Sequence, residues 1–349
     1  MLLLLAQRLS STASTAQRAA AQRLVDFFNR DVWPVVPEQG ALGATDAVPL
    51  AHLCLPLLGL GEVDYQGYRL ASADVLGLFG WEAVALPEAA GRALLDGQEF
   101  TLAYATEALE RAEHLLRAAD ALRELSAAAT GAAYTIGYQS PTYETSRAAV
   151  AYVAQAVQQA CNAGAAVART SEREADSVNS PLALVLDHLA PAAAALGSLS
   201  GQRTGQLLAG HHGLPPALAT PGLPLGLAGP YRTAASLAGQ NRQLCGPTSA
   251  SPWDDWGGNP GELPSLGTQA ATRALRAVEN TEQILGIELL VAAQALDLHR
   301  TASSATLGGS PALAAVAAFR EHVTFVAHAR VLAPDLHRAA RFVREYHWT

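Results

Sequence analysis

The chain has 349 residues and a formal net charge of −8; half of it is apolar, 15% is charged and 6% is aromatic. That is enough chain to bury one large or two medium cores, and an acidic balance without an arginine cluster argues against a nucleic-acid partner. All 23 basic residues are arginine, so lysine Schiff-base chemistry and the Gly-Lys phosphate cradle of a P-loop are excluded.

Alanine and leucine dominate, which favours long, closely packed helices over sheet. No uninterrupted apolar run of about 18 residues occurs, so no membrane span is expected. Met1–Ala6 is apolar, short and without a basic start, and reads as the first turn of a helix. Leu3 to Arg30 reads as one or two helices, broken by Pro34 and Pro37. Residues 47–60 are apolar and read as buried helix, and residues 61–70 alternate around Gln66-Gly67, as a hairpin does. Ala89 to Ala129 reads as one long helix with Glu107, Glu110, Arg111 and Glu113 on its wetter side.

Helix is expected again at Thr145–Ala168, Pro181–Leu199 and Arg203–Ala209, with the Gly- and Pro-rich Gly213–Pro230 largely loop. Trp253–Pro264 is a second irregular stretch, and such long loops often build sites. In Thr268–Arg300 only Glu288 and Gln294 are strongly polar between Ile284 and Leu296, which marks a helix buried on every side. These two are expected to hydrogen-bond across helices. Pro311–His328 and Asp335–Tyr346 close the chain as helix. Cys54, Cys161 and Cys245 are odd in number and widely spaced, so packed, reduced thiols in a cytoplasmic protein are expected, without a disulfide or zinc framework. His322 and His328 do not share a helix face, and His211-His212 suits a helix C-terminus better than a metal.

The stretch PVVPEQGALGATDAVPLAHL, from Pro34 to Leu53, is similar to the PxxPxxGSxGASGDLAPLAH segment of the histidine and phenylalanine ammonia-lyase family. LGLGEVDYQGYRL resembles that family's GEG-x-V hairpin, GRALLDGQ its ALxNGT segment, ENTEQILGIELLVAAQALDLHR its long central helix, and VLAPDLHRAARFV its closing segment. The resemblance covers nearly the whole chain, beginning where family members are already many residues in. It implies an all-α fold, a long-helix bundle with a small β-hairpin near residues 62–70, as a single helical domain over 1–349. It also implies a homotetramer whose sites draw on several subunits.

In that family an Ala-Ser-Gly tripeptide cyclises into a methylidene-imidazolone electrophile, the glycine amide attacking the alanine carbonyl. Here Ala44 is followed by Thr45 and Asp46, and the segment is one residue short. Either Asp46 replaces the glycine, or the glycine is deleted and Asp46 is the aspartate that normally follows it. A threonine leaves an extra methyl on the electrophilic carbon, and an aspartyl amide is more hindered than a glycyl one. Cyclisation is therefore not expected, and no cofactor is expected. Other reacting positions depart as well: Asp96 stands for the family's asparagine, Gly137 for its carboxylate-binding arginine, and Pro260-Gly261 for its Gln-Glu pair. The segment carrying the family's catalytic tyrosine has no counterpart.

The candidate catalytic residues are Asp46, Tyr134, Tyr138 and Asp96. Asp46 is placed near converging helix N-termini as a base or a cap, Asp96 carries the same alternatives, and a phenol can act as acid or base. The candidate substrate-binding residues are Thr45, Tyr143, Tyr231, Arg232, Gln240, Trp253 and Trp256. Arg232 would hold a carboxylate by its fork, and the two tryptophans would line a flat pocket or form a lid. Three functions remain open. The first is a repurposed biosynthetic enzyme doing cofactor-independent elimination, conjugate addition or cyclisation on a small molecule. The second is a non-catalytic subunit or scaffold pairing with a full-length lyase, and the third, set behind both, is an active aromatic amino acid ammonia-lyase.

Overall fold

Ser14 stands extended and its hydroxyl accepts a hydrogen bond from the Gln17 amide at 3.5 Å, so helix α2 (Thr15–Asn29) starts with a side-chain cap distinct from α1 (Leu2–Ser10). The computed structural model describes residues 1–10, 14–40, 45–130, 140–163, 181–211, 213–249, 266–302 and 311–348. These fall into two compact units, one made of residues 1–107, 154–187 and 247–272, the other of 108–153, 188–246 and 273–349.

In the first unit α1 packs on α2, and Leu2, Leu5, Leu9, Leu24 and Phe27 meet Leu50, Leu53, Leu57 and Val63 in one core. Strands β1 (Val32–Pro34), β2 (Glu62–Tyr65) and β3 (Tyr68–Ala71) form an antiparallel sheet in that order. The register pairs Val32 with Tyr65 and Tyr65 with Tyr68. Helix α3 (Ala47–Cys54) runs into a 3-10 turn at Leu55–Leu58, and α4 (Ser72–Phe79) and α5 (Glu88–Leu95) follow the sheet. Trp81 stacks on Phe79 with ring centroids 4.5 Å apart, under the Arg23 guanidinium. Helix α6 (Glu99–Thr130) begins in this unit and continues into the second. Helix α11 (Leu266–Ala302) does the same, and α7 (Pro141–Ala163) starts in the second unit and ends in the first. Helix α8 (Pro181–Leu186) belongs to the first unit.

The second unit is built on α11. From Ala277 to Leu296 almost every residue is buried, and the neighbours are α9 (Leu189–Leu208), α10 (Ala228–Leu244), α12 (Pro311–His322) and α13 (Ala333–Glu345). A Cβ on Gly286 would lie 2.7 Å from the Ala340 amide nitrogen, so glycine is what lets α13 approach α11 this closely. The buried Glu288 carboxylate takes a two-pronged hydrogen bond from Arg203 of α9, at 2.5 and 2.7 Å, and a third from Ser126 of α6 at 2.7 Å. Asn241 of α10 donates to Thr281 at 3.1 Å and accepts from Asn280 at 2.8 Å. Gln294 donates to the Val326 carbonyl and accepts from its amide, clipping the chain after α12 to the central helix.

The fold is all-α with a small antiparallel sheet, and the hairpin lies where the alternating pattern put it. Four expectations change, the first being that the helix expected over 311–328 ends at His322. The helix foreseen over 89–129 is two, because the chain breaks at Asp96-Gly97-Gln98. A Cβ on Gly97 would fall 2.0 Å from the Glu99 carboxylate, which sits over this glycine. The boundary between the 181–199 and 203–209 helices vanishes, since α9 runs unbroken through Gly201; the interruption is at Asp187-His188. Arg111 leaves the wet side of α6 and turns in to Glu282, at 2.6 and 2.8 Å. Strand β1 was not foreseen; three residues ending in proline suit only a sheet edge. Residues 164–168 of the expected helix after Thr145 lie outside the described residues. Leu182–Leu208 is long and apolar enough to cross a membrane by composition, but 61% of its most apolar window is buried in the protein and it carries the paired Arg203, as an interior helix does.

Removing one partner of the Arg203–Glu288 pair leaves a buried charge alone. Glu288→Ala is expected to lower unfolding stability by about 3–5 kcal/mol, whereas replacing both with apolar residues of similar volume should recover most of it. Urea unfolding of the two variants checks this.

Candidate functional site

Asp46 lies at the N-cap position of α3, yet its side chain does not cap that helix. Its backbone carbonyl accepts from Leu50 at 2.9 Å, the normal first bond of the helix. Its carboxylate reaches two other helices. Oδ2 accepts from the Thr101 amide in the first turn of α6 at 2.8 Å. Oδ1 accepts from the hydroxyls of Thr101 at 2.9 Å and of Thr268, in the first turn of α11, at 2.8 Å. The two hydroxyls are 3.0 Å apart. Asp46 therefore gathers three helix N-termini, where unpaired amides and helix dipoles favour an acceptor. Its amide donates to the Gly97 carbonyl at 2.8 Å, which brings the cassette against the break between α5 and α6.

A second carboxylate stands beside it. Glu99, also buried, pairs through Oε1 with Arg8 of α1, while Oε2 has no hydrogen-bond partner among the described residues. Arg8 also donates to the Ala93 carbonyl at 2.7 Å and the Leu94 carbonyl at 3.3 Å, at the C-terminal end of α5. Burial pushes the Asp46 carboxyl above the usual carboxylate range; the Thr101 and Thr268 hydrogen bonds pull it back, and Glu99 adds to the rise. The Cys54 thiol, buried in the same unit, is pushed up to about 12, so it is a packing group and not a nucleophile.

The other candidates take different places. Thr45 is half-buried next to Asp46. Asp96 is exposed and stands at the end of α5, not at a helix start, with no cap formed. In the second unit Tyr143 is buried at the start of α7 and its hydroxyl donates to the Leu116 carbonyl at 2.9 Å. The Arg123 and Arg147 guanidinium carbons lie 5.6 and 5.3 Å from its ring centroid. Burial, aided by Asp120, pushes its phenol well above the usual range. Tyr231, Arg232 and Gln240 are all exposed on α10. At about 100° per residue Arg232 and Gln240 are about 80° apart, while Tyr231 is about 180° from Gln240. The Tyr231 hydroxyl instead lies over Gly205 of α9, 3.0 Å from where a Cβ would stand. Tyr134, Tyr138, Trp253 and Trp256 lie outside the described residues, as do Ala44 and His212.

A cavity of about 150 Å³ in the second unit is lined by Asp120, Glu124, Pro311, Tyr346 and Trp348, and by none of the candidate residues. It is smaller than the ~300–1,000 Å³ of typical small-molecule pockets. Among the described residues no group of three or more His, Cys, Asp or Glu side chains is placed to hold a metal ion. Sequence reasoning missed Arg8, Glu99, Thr101 and Thr268. The last three share one visible mark, a place in a helix's first turn; nothing local marks Arg8, 91 residues from its partner.

The residues around this site match known proteins over nearly the whole chain. A family model described as aromatic amino acid lyase matches residues 1–140 and 145–321. The chain is 33% identical to a histidine ammonia-lyase of Symbiobacterium thermophilum, over 98% of its own length and 77% of the relative's. It is 32% identical to one of Deinococcus radiodurans, over 97% and 74%. Among solved structures, histidine ammonia-lyase from Trypanosoma cruzi superposes with a TM-score of 0.83 at 24% identity, covering 98% of this chain and 75% of that one. Tyrosine aminomutase from Streptomyces globisporus gives 0.81 at 23%, covering 98% and 78%.

Thr101→Val and Thr268→Val each remove a hydroxyl from the same carboxylate oxygen. Each is expected to cost about 1–3 kcal/mol of stability. The double variant should depart from the sum, because the two hydroxyls share Oδ1 and touch each other. A double-mutant cycle by denaturant unfolding measures this.

Proposed function

The chain belongs to the aromatic amino acid lyase family, and from that premise we propose that it keeps the family's helical frame without its electrophile and serves as a non-catalytic subunit pairing with a full-length lyase. The observation that carries this reading is the engagement of Asp46. The nitrogen two residues beyond Ala44, which ring closure would require as nucleophile, is the Asp46 amide, and it donates to the Gly97 carbonyl at 2.8 Å. Counting back from Pro49-Leu50-Ala51-His52, Asp46 takes the place of the aspartate that follows the family's tripeptide, so the glycine is the missing residue. The residues present do not fit a methylidene-imidazolone, and no step runs through one.

Two of the polar candidates, Asp46 and Tyr143, are consumed by the frame. Asp46 is fully buried, with both carboxylate oxygens held by Thr101 and Thr268. Tyr143 is tied to a main-chain carbonyl. A general base must reach the proton it removes, and neither group is open to a substrate in this chain. One observation favours the other reading, a cofactor-independent enzyme: Arg232 and Gln240 are exposed on one side of α10, where they could hold a substrate carboxylate and a neighbouring polar group.

Intact mass is expected to equal that of the unmodified sequence, with no loss of two waters. Native mass spectrometry after co-expression with a histidine ammonia-lyase is expected to show mixed oligomers. A two-water loss would remove the reading. So would a purely homomeric assembly that converts a small molecule and loses that conversion in Arg232→Ala.

A further inference from the structure

Asp46 and Glu99 are two buried carboxyl groups at one helix junction, and the Arg8 guanidinium pairs with Glu99. Arg8 also donates to the Ala93 and Leu94 carbonyls. Among the described residues Asp46 thus takes its side-chain hydrogen bonds from hydroxyls and an amide and forms no ion pair. We propose that Asp46 is a proton-holding carboxyl, so that the tie between α3, α6 and α11 is a pH-sensitive device that weakens as its proton is lost.

The geometry admits both protonation states without movement. Oδ2 faces the Thr101 N–H, which can only donate, so this oxygen must stay an acceptor. Oδ1 faces two threonine hydroxyls 2.8 and 2.9 Å away, and a hydroxyl both donates and accepts. A proton on Oδ1 is therefore met by a hydroxyl that has turned to accept it, and the 3.0 Å contact between the threonines passes the reorientation on. When the proton leaves, both hydroxyls turn to donate, but a second anion then stands beside Glu99 in a buried site.

The charged groups acting here are Glu99 of α6 and Arg8 of α1, with the Met1 amine and the Cys54 thiol of α3 both coupled to Glu99. His52 of α3 and Asp96 after α5 are exposed to solvent. Burial and Glu99 both favour the neutral form of Asp46. A carboxyl whose folded-state value is raised contributes stability that is complete below the unfolded value, about pH 4, and is lost as pH rises through the folded value.

This inference rests on Asp46 being a structural tie, as proposed above. The two fail separately, since that reading is judged by mass and assembly and this one by pH alone. The test is thermal unfolding of the purified full chain and of Asp46→Asn from about pH 4 upward. Asparagine keeps the shape, offering its oxygen to the Thr101 amide and its NH₂ to the hydroxyls. The midpoint of the wild type relative to Asp46→Asn is expected to fall with rising pH and then level off; in a Glu99→Gln background the levelling should come at lower pH. Parallel profiles would overturn the proposal. Should Asp46→Asn not fold, carbon-13 titration of the aspartate carboxyls reads the same proton. One aspartate titrating above the ordinary range, moved up by Thr268→Val and down by Glu99→Gln, supports the proposal. No such aspartate overturns it.

Discussion

A carboxylate withdrawn from water into an interior lined by alanine and leucine costs several kcal/mol unless donors surround it, and each unit of this protein is organised around one such group. In the first unit Asp46 collects an amide and two hydroxyls from the first turns of α6 and α11. In the second, Glu288 collects Arg203 and Ser126 on the central helix. The helices are apolar enough to pack closely in many registers. These buried polar groups admit few, because each is satisfied only when particular turns of different helices meet. The same demand explains Gln294, whose amide pairs with both backbone groups of Val326, and Asn241, held between Asn280 and Thr281.

The two carboxylates are satisfied in different ways. Glu288 has a full counter-charge in a planar fork, the arrangement that matches a carboxylate best. Asp46 has only dipoles: an amide, two hydroxyls and the N-terminal ends of helices. A site of that kind can hold an ion, a neutral acid or an amide with small adjustments of hydroxyl rotors. In the reading proposed above, Asp46 is the aspartate that follows the tripeptide from which the family builds its electrophile. Here the frame around the position persists, the glycine that closes the ring does not, and the backbone nitrogen left in its place is bonded to Gly97. Helix junctions need a buried acceptor, whereas ring closure needs a free and unhindered amide.

How much of this was legible in the residues varies with the range of the interaction. The hairpin around Gln66-Gly67 was, because period-two alternation about a turn dipeptide is a local pattern. The buried central helix was, because a long run with two polar exceptions has no exposed face to offer. The break before Glu99 was not: it depends on a carboxylate lying over Gly97 and on Arg8 arriving from the other end of the unit. Arg111 was misplaced for the same reason, since its partner Glu282 is 171 residues away and a charge on a helix otherwise reads as solvated.

At the candidate site the residues, set beside the family they resemble, showed an altered tripeptide with Asp46 directly after Ala44-Thr45, and from it came the expectation that cyclisation fails. The resemblance also placed Asp46 among helix starts. Which helices it joins, and that it caps α6 and holds the Thr268 hydroxyl of α11 instead of capping the helix it precedes, was decided only by tertiary structure. Thr101 and Thr268 are 55 and 222 residues away and meet it only once the helices have packed. Composition and local pattern determine which segments are helical and which side chains must find donors. The identity of the donors is a property of the packed chain, because it depends on where separate helix ends come to rest.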